Sequence, residues 1–218
     1  MKTNIIKLSK FILDILVPFG PYLRKAEKSK RFENFPYLIF VVLPLTFFMF
    51  WLSRLLGEYG GMLYFILLVP LSALLHIKIN HIQSRHEQIK TLLWYLIVII
   101  IGFGSLWGFV GHFFMSDSVA SSIGWTNGSP FQIELAFYHL GIAVAGILCI
   151  WYRDTLWSGV VIIKSIFLYG AAYVHIKEII INQNYSLSNT GSVLIGDILF
   201  PSILIFLLVI YSRGEKSR

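Results

Sequence analysis

The sequence has few charged residues and a single cysteine. Charged side chains make up 13% of its 218 residues, whereas soluble domains usually carry about a quarter. A soluble globular domain of this size would need more polar surface than the chain can supply. Because Cys149 has no second cysteine to pair with, an internal disulfide framework is excluded, and cysteine usage indicates no compartment.

The basic N-terminus lacks the features of a cleaved signal peptide. No small-x-small cleavage site follows it, and Asp14 and Pro18 interrupt its apolar run. The apolar residues between Ile5 and Leu16 fall near one helical face. Residues 1–35 are therefore predicted to form a basic amphipathic segment that lies in the membrane interface.

The sequence is rich in long apolar runs. Hydrophobic residues make up 56% of the chain, and the mean hydropathy is +0.73. Runs of about 20 apolar residues predict an all-α fold, a polytopic membrane helical bundle. About six transmembrane helices are predicted, at 36–55, 61–77, 92–115, 132–151, 155–176 and 193–212. This divides the chain into the N-terminal segment, a transmembrane hairpin with a basic cytoplasmic loop (36–91) and a four-helix membrane domain (92–218).

The positions of the positive charges predict the orientation. With six spans, most of the 18 Lys and Arg residues lie on the side of the N-terminus, and Arg54 and Lys177 lie on the other side. The positive-inside rule then places both termini in the cytoplasm of a multi-pass inner-membrane protein. The net charge of +7 therefore reflects topology. The predicted environment is the lipid bilayer, and nucleic acid is excluded as a partner.

Histidines cluster near the basic loop 78–91. His76, His81 and His86 lie in or beside this loop without a clean helical spacing. We therefore predict a solvated connection there and no metal site.

A polar stretch, GHFFMSDSVASSIGWTNGSPFQIE at 111–134, joins the third and fourth spans. Its segment Ser129-Pro130-Phe131-Gln132 fits a capping box, with Ser at the N-cap and Gln three residues later. This places Glu134 in the first turn of a helix, where the helix dipole favours negative charge. Residues 116–131 are predicted to form a lid over a polar site.

Ionisable residues recur at one predicted depth near the outer face. Charged groups in spans are costly and usually face the bundle interior, so these residues are predicted to converge. By helical phase His139 lies about 140° from Glu134 and is left outside the group. Gly104, Gly108 and His112 form a small-residue stripe that fits packing within the chain or in a homo-oligomer. The candidates for the polar site are His112, Glu134, Lys164, His175, Glu178 and Asp197.

Three functions stay open for these residues, and whether the protein is an enzyme stays open with them. The first is a structural network in which Lys164 and the histidines neutralise the carboxylates. The second is transport or proton and ion handling. The third is metal-dependent or redox chemistry, since imidazole and carboxylate suit iron, manganese or zinc. Elemental analysis of the purified protein tests the third. The predicted metal ligands are His112, Glu134, His175 and Glu178.

Three stretches carry a resemblance to a known family. The segments 111–134, GAAYVHIKEIIINQNY at 170–185 and GDILFP at 196–201 resemble an uncharacterised family of prokaryotic integral membrane proteins. The resemblance covers about Leu92 to Pro201 and implies a compact four-helix membrane unit without an assigned activity. In size and helix count the chain is also similar to DoxX-type four-helix membrane proteins. Some of those are linked to quinone or thiol oxidation, which implies a membrane oxidoreductase as an alternative. The matched motif positions are His112, Asp117, Gly124, Trp125, Ser129, Pro130, Phe131, Gln132, Glu134, His175, Glu178 and Asp197.

Overall fold

The structure is a computed structural model that describes residues 59–153 and 155–216. Within these ranges all regular elements are helices, which confirms the all-α prediction for the described part of the chain. The predicted N-terminal segment 1–35 and the first predicted span lie outside the described residues. The elements are α1 (Tyr59–Ile79), α2 (Arg85–Leu96), a π-helical segment (Ile97–Phe103), α3 (Gly104–Phe114), α4 (Ser116–Ile123), α5 (Phe131–Leu148), α6 (Thr155–Asn182), α7 (Leu187–Thr190) and α8 (Ser192–Lys216).

Four helical stretches in the described residues are long and apolar enough to cross a membrane. They are Arg85–Phe114, Phe131–Leu148, Thr155–Asn182 and Leu187–Gly214, and a shorter apolar helix covers Leu67–Ile79. At 1.5 Å per residue, the 28 residues of α6 extend about 42 Å, more than the hydrocarbon layer of about 30 Å. The four long stretches correspond to the last four predicted spans.

The outer surface of the bundle is apolar. Large aliphatic side chains of α6 point away from its neighbours, with Ile166 69% exposed and Ile180 73% exposed. Water would disfavour such a surface, whereas lipid tails would not. The described helices therefore form a bundle that suits a lipid bilayer.

The helix after the basic loop begins earlier than the sequence predicts. α2 starts at Arg85, before the predicted start of the third span at Leu92. The connecting loop is therefore limited to the residues between α1 and α2. The residues between α1 and α2 are mostly exposed, as a solvated connection requires, whereas His76 belongs to α1. Its side chain is buried, and Nδ1 lies 3.1 Å from the hydroxyl oxygen of Tyr95 on α2. A buried hydroxyl partner compensates for the lost hydration of this imidazole.

Two glycines lie at a close helix crossing. A Cβ atom on Gly146 of α5 would lie 2.6 Å from the backbone nitrogen of Gly102, in the π-helical segment. Only residues without a Cβ allow the two backbones to approach so closely. Beside this crossing lies the apolar core, which includes Ile97, Ile101 and Val161. The crossing fixes α3 and α5 antiparallel to each other.

Candidate functional site

The interface between α3 and α5 contains a hydrogen-bonded histidine and glutamine. Nδ1 of His112 lies 2.6 Å from Oε1 of Gln132. The ring of His112 also stacks on the ring of His139, with the centroids 5.2 Å apart and the planes 15° apart. Gln132 and His139 are buried, and His112 is half-buried. Two imidazoles therefore lie together inside the bundle near the end that carries α4, called here the α4 end.

The start of α5 differs from the predicted capping box. The helix begins after Pro130, and no side chain caps its first turn. Gln132 is unavailable as the returning partner because its amide oxygen is bonded to His112. The predicted capping box at Ser129 is therefore wrong, since a buried amide gains more from a buried imidazole than from the helix end. Glu134 does lie in the first turn, as predicted, and its side chain is exposed.

His139 occupies the space beside a glycine of α3. A Cβ atom on Gly108 would lie 2.6 Å from Nδ1 of His139, so this ring lies directly on the helix backbone. The other side of the ring contacts Phe167 edge-on, at 5.5 Å between centroids, and Phe167 stacks on Tyr138 at 4.3 Å. The small-residue stripe of α3 thus packs within the chain at Gly108.

Lys164 of α6 is buried at the level of these aromatic rings. Its relative exposure is 5%, and its Nζ atom lies 5.1 Å from the centroid of the Phe167 ring. Electrostatic interactions link Lys164 to Asp197 and to the imidazoles of His112 and His139. A cation at about 14 Å from the start of a transmembrane helix is costly unless polar groups face it. Lys164 is therefore a buried cation that packs against an aromatic ring.

Several buried polar atoms of α3, α5 and α6 have no hydrogen-bond partner within the described residues. Buried polar atoms of native proteins are normally bonded to protein, ordered water or a ligand. The interior between α3, α5 and α6 is therefore chemically suited to water or a small polar solute. These atoms are Ser105 Oγ, Tyr138 OH, His139 Nδ1 and Ser165 Oγ.

A second polar group joins α6, α7 and α8. Asp197 lies with Oδ2 3.7 Å from Nε2 of His175, and both residues are buried. Nδ1 of His175 lies 2.7 Å from Oδ1 of Asn189. The amide nitrogen of Asn189 donates to two backbone oxygens, those of His175 and Asn184. These two bonds fix the orientation of the Asn189 amide.

The orientation of Asn189 determines where a proton must be on His175. Because Oδ1 of Asn189 is an acceptor, Nδ1 of His175 carries a hydrogen and donates it. A neutral imidazole would then turn the lone pair of Nε2 toward the carboxylate of Asp197. Nε2 of His175 and Oδ2 of Asp197, 3.7 Å apart, are therefore the two atoms of this pair at which a proton can be held.

The segment predicted to form a lid contains the short helix α4 and a turn, and one of its side chains contacts His175. Trp125 stacks on the ring of His175, with centroids 6.3 Å apart and planes 18° apart. Within the lid, Oδ1 of Asp117 accepts a hydrogen bond from the backbone nitrogen of Gly128 at 2.8 Å. Asn184, in the loop after α6, donates a hydrogen bond to the backbone oxygen of Ile123 in the lid segment at 2.9 Å.

Gly124 allows the lid to meet that loop. It ends α4 in the left-handed conformation, with φ at +83°. A Cβ atom there would collide with Oγ of Ser186 and would lie 2.6 Å from Oδ1 of Asn184. Glycine is therefore required by both backbone conformation and space.

The predicted site residues fall into two buried groups and an exposed remainder. His112 lies with Gln132, whereas His175 lies with Asp197, and Lys164 interacts with both groups. Glu178 accepts a hydrogen bond from Asn182 at 2.8 Å on the surface. Among the described residues no three His, Cys, Asp or Glu side chains form a cluster that could hold a metal ion. The four predicted ligands thus do not form one site there, and the metal-dependent alternative stays a prediction.

Sequence reasoning missed His139, Gln132 and Asn189. The signal for the first two was present, because Gln132, His139 and Gly146 share one helical face and that face is buried. Helical phase relative to Glu134 places His139 on the opposite face of α5. Because Glu134 is exposed, that opposite face is the buried one. Nothing in the sequence indicates that Asn189, in a short helix between two spans, bonds to His175.

Comparison with known proteins supports a family of unknown function. No curated protein and no solved structure matches the chain. The likeness to DoxX-type proteins therefore rests on size and helix count alone. A model described as a family of unknown function (DUF6790) matches residues 60–217, which span α1 to α8, and the chain belongs to this family.

Proposed function

We propose that the protein handles protons in the membrane, as a transporter or relay whose buried site opens toward the α4 end. The observation that carries this proposal is the pairing of His175 with Asp197, in which the Asn189 amide fixes the tautomer. Such a pair has two ways of holding one proton, on the imidazole or on the carboxyl group. Groups that exchange protons in membrane proteins are commonly built from Asp, Glu and His in this way.

Lys164 extends the pair toward the centre of the bundle. Its charge interacts with Asp197 on one side and with His112 and His139 on the other. A proton gained or lost at Asp197 changes the electrostatic energy of every member of this set. Buried hydroxyl groups such as Ser105 and Ser165 offer positions for water between them.

An apolar layer separates this polar region from the other end of the bundle. It includes Val160 and Val161 of α6, Ile101 of the π-helical segment and Leu208 of α8, all buried. Protons do not cross a dry apolar layer, because no group there can carry them. The site is therefore proposed to exchange protons with one side only in this conformation, as coupled transport requires.

Infrared titration of the protein in nanodiscs tests the proposal. In the wild type we expect a carbonyl band of a protonated carboxylic acid that appears and disappears reversibly with pH. Asp197→Asn removes the buried carboxyl group and should abolish that band. Glu134→Gln is the matched control, because Glu134 is exposed, and it should leave the band unchanged. A band from Asp197 that is constant at all pH values would mean a fixed structural pair, and the absence of any such band would also contradict the proposal.

We further propose that the protein lies in the inner membrane with both termini cytoplasmic and the α4 end outside. The distribution of Lys and Arg supports this orientation. Ser122 in α4 and Arg213 near the end of α8 are both exposed and lie at opposite ends of the bundle. In a Cys149→Ser background, a membrane-impermeant maleimide should label Ser122→Cys in intact bacterial cells and Arg213→Cys only after lysis. The reverse pattern would invert the proposed topology.

A further inference from the structure

An apolar groove lies between α1 and α2, near the end of the bundle opposite α4. Its volume is about 310 Å³. The groove is open to the surroundings, since Leu74 is 62% exposed and Pro70 is also exposed. On the surface of a membrane bundle such a groove faces lipid tails, because water would disfavour it. The apolar side chains of its lining belong to Pro70, Ala73, Leu74, Ile77, Ile89 and Leu92.

The lining becomes polar where α2 begins. Arg85 and Gln88 also line the groove, and Arg85 is the first residue of the transmembrane stretch Arg85–Phe114. The 30 residues of this stretch extend about 45 Å, so its ends lie outside a hydrocarbon layer of about 30 Å. Ile89 and Leu92 lie about 6 Å and 10 Å further along the helix axis than Arg85. The groove therefore joins the depth of the lipid head groups to the hydrocarbon layer.

Arg85 brings a positive charge that has no ion-pair partner in the described part of the chain. Its side chain is exposed, and it forms no salt bridge with any residue of 59–153 or 155–216. Among the described residues that line the groove, none is acidic. Lys78 is exposed in the last turn of α1 and adds positive charge at the same end of the bundle. A guanidinium group binds phosphate with two parallel hydrogen bonds, so this end of the groove favours an anionic head group.

We propose that the groove between α1 and α2 binds one anionic phospholipid, with an acyl chain along the apolar lining and the phosphate on Arg85. A helix of another protein would cover the apolar lining, but it would need an acidic residue to neutralise Arg85. A phospholipid of the phosphatidylglycerol class carries the apolar chain and the negative charge in one molecule. Basic pockets between transmembrane helices bind such head groups. The groove is separate from the buried groups near the α4 end, so its occupation does not depend on proton handling there.

Competition between two lipids, measured by native mass spectrometry, tests the proposal. The full chain is reconstituted in nanodiscs with equal amounts of phosphatidylglycerol and phosphatidylcholine of the same chain length. The lipids that stay bound after release into the gas phase are then counted for each chain. We expect the wild type to retain phosphatidylglycerol in preference to phosphatidylcholine. Glycerol phosphate, which has the anionic group without the acyl chains, should not displace the bound lipid.

Three variants assign the preference to Arg85. Arg85→Gln should lower the ratio of bound phosphatidylglycerol to phosphatidylcholine about fivefold, the effect of one cation near the membrane surface. Arg85→Lys keeps the charge and should retain most of the preference. Arg213→Gln is the control, since Arg213 is exposed at the same end of the bundle, and it should behave as the wild type. Phosphatidylglycerol bound elsewhere on the chain is common to all four proteins, so the difference between them reports the groove.

Four results would overturn the proposal. The first is a wild type that retains no phospholipid or retains both lipids equally. The second is an Arg85→Gln variant with the lipid ratio of the wild type. The third is displacement of the lipid by glycerol phosphate, which would make the apolar lining irrelevant. The fourth is a dimer without bound phosphatidylglycerol, which would assign the groove to a second copy of the chain.

Discussion

Replacing Lys164 with methionine is expected to lower the free energy of unfolding by about 0.5–3 kcal/mol, because it removes a buried cation that interacts electrostatically with Asp197. Lys164 is 5% exposed and interacts electrostatically with Asp197, which is also buried. Asp197→Leu should have a similar effect, since it leaves the ammonium group next to two imidazoles. The double variant should be less destabilised than either single variant, because it buries no charge at either position. Denaturant titration of the four proteins in detergent micelles measures this coupling.

The control for this cycle lies on the same helix. Lys177 is exposed near the α4 end of α6, so Lys177→Met makes the same chemical change where solvent and head groups accept the charge. We expect it to shift stability by less than about 0.5 kcal/mol. If the effects of Lys164→Met and Asp197→Leu simply add in the double variant, the two charges do not stabilise each other. The electrostatic interaction between α6 and α8 would then contribute nothing measurable to the free energy of unfolding.

The buried face of α6 follows helical periodicity. Lys164, Leu168 and His175 are buried, and their spacings of four and seven residues place them on one face. The stripe ends before Glu178, whose side chain is partly exposed and bonds to Asn182. Spacing alone cannot locate the membrane boundary along a helix. A carboxylate one turn beyond the buried part can reach the surface, and the surface is where it is best solvated.

The same periodicity gave the wrong buried face for α5, because the face was assigned relative to Glu134. The sequence predicts that Glu134 faces inward, whereas its side chain is exposed and the opposite face is buried. That face carries Gln132 and His139, together with Gly146 at the crossing. Sequence alone does not show which side of a polar first turn faces the bundle interior, because this depends on the helix against which it packs. Here the decision comes from His112, which needs a hydrogen-bond partner inside the bundle.

Backbone irregularities and contacts between loops were also beyond sequence reasoning. The π-helical segment Ile97–Phe103 has the composition of an ordinary apolar helix, so nothing in its residues indicates the change in hydrogen bonding. The contacts of Asn184 with Ile123 and of Asn189 with His175 join loops that are distant in sequence. The turn residues Asn127 and Gly128 predict a turn, but not the surface on which the turn packs.

Replacing Gly146 with alanine is expected to be among the most damaging single-methyl additions in the described bundle. The new Cβ atom would lie 2.6 Å from the nitrogen and 2.8 Å from the Cα atom of Gly102. Backbone atoms cannot rotate away, so α5 must move away from the π-helical segment, at a cost of about 1–3 kcal/mol or more. Gly102→Ala should cost less, because its Cβ would lie 3.3 Å from atoms of Ile147, one of them in a side chain.

Gly141 supplies the matched control for this ranking. It lies on the same helix as Gly146, and a Cβ atom there meets nothing within 4 Å. Gly141→Ala should therefore leave stability unchanged or raise it by up to about 1 kcal/mol, since alanine favours the helix more than glycine does. Thermal unfolding in one detergent should give the order Gly141→Ala, Gly102→Ala, Gly146→Ala from most to least stable. Equal melting temperatures for Gly141→Ala and Gly146→Ala would mean that the helices do not cross at this glycine pair. The glycine crossing would then no longer explain why α5 lies close enough to α3 for His139 to contact Gly108.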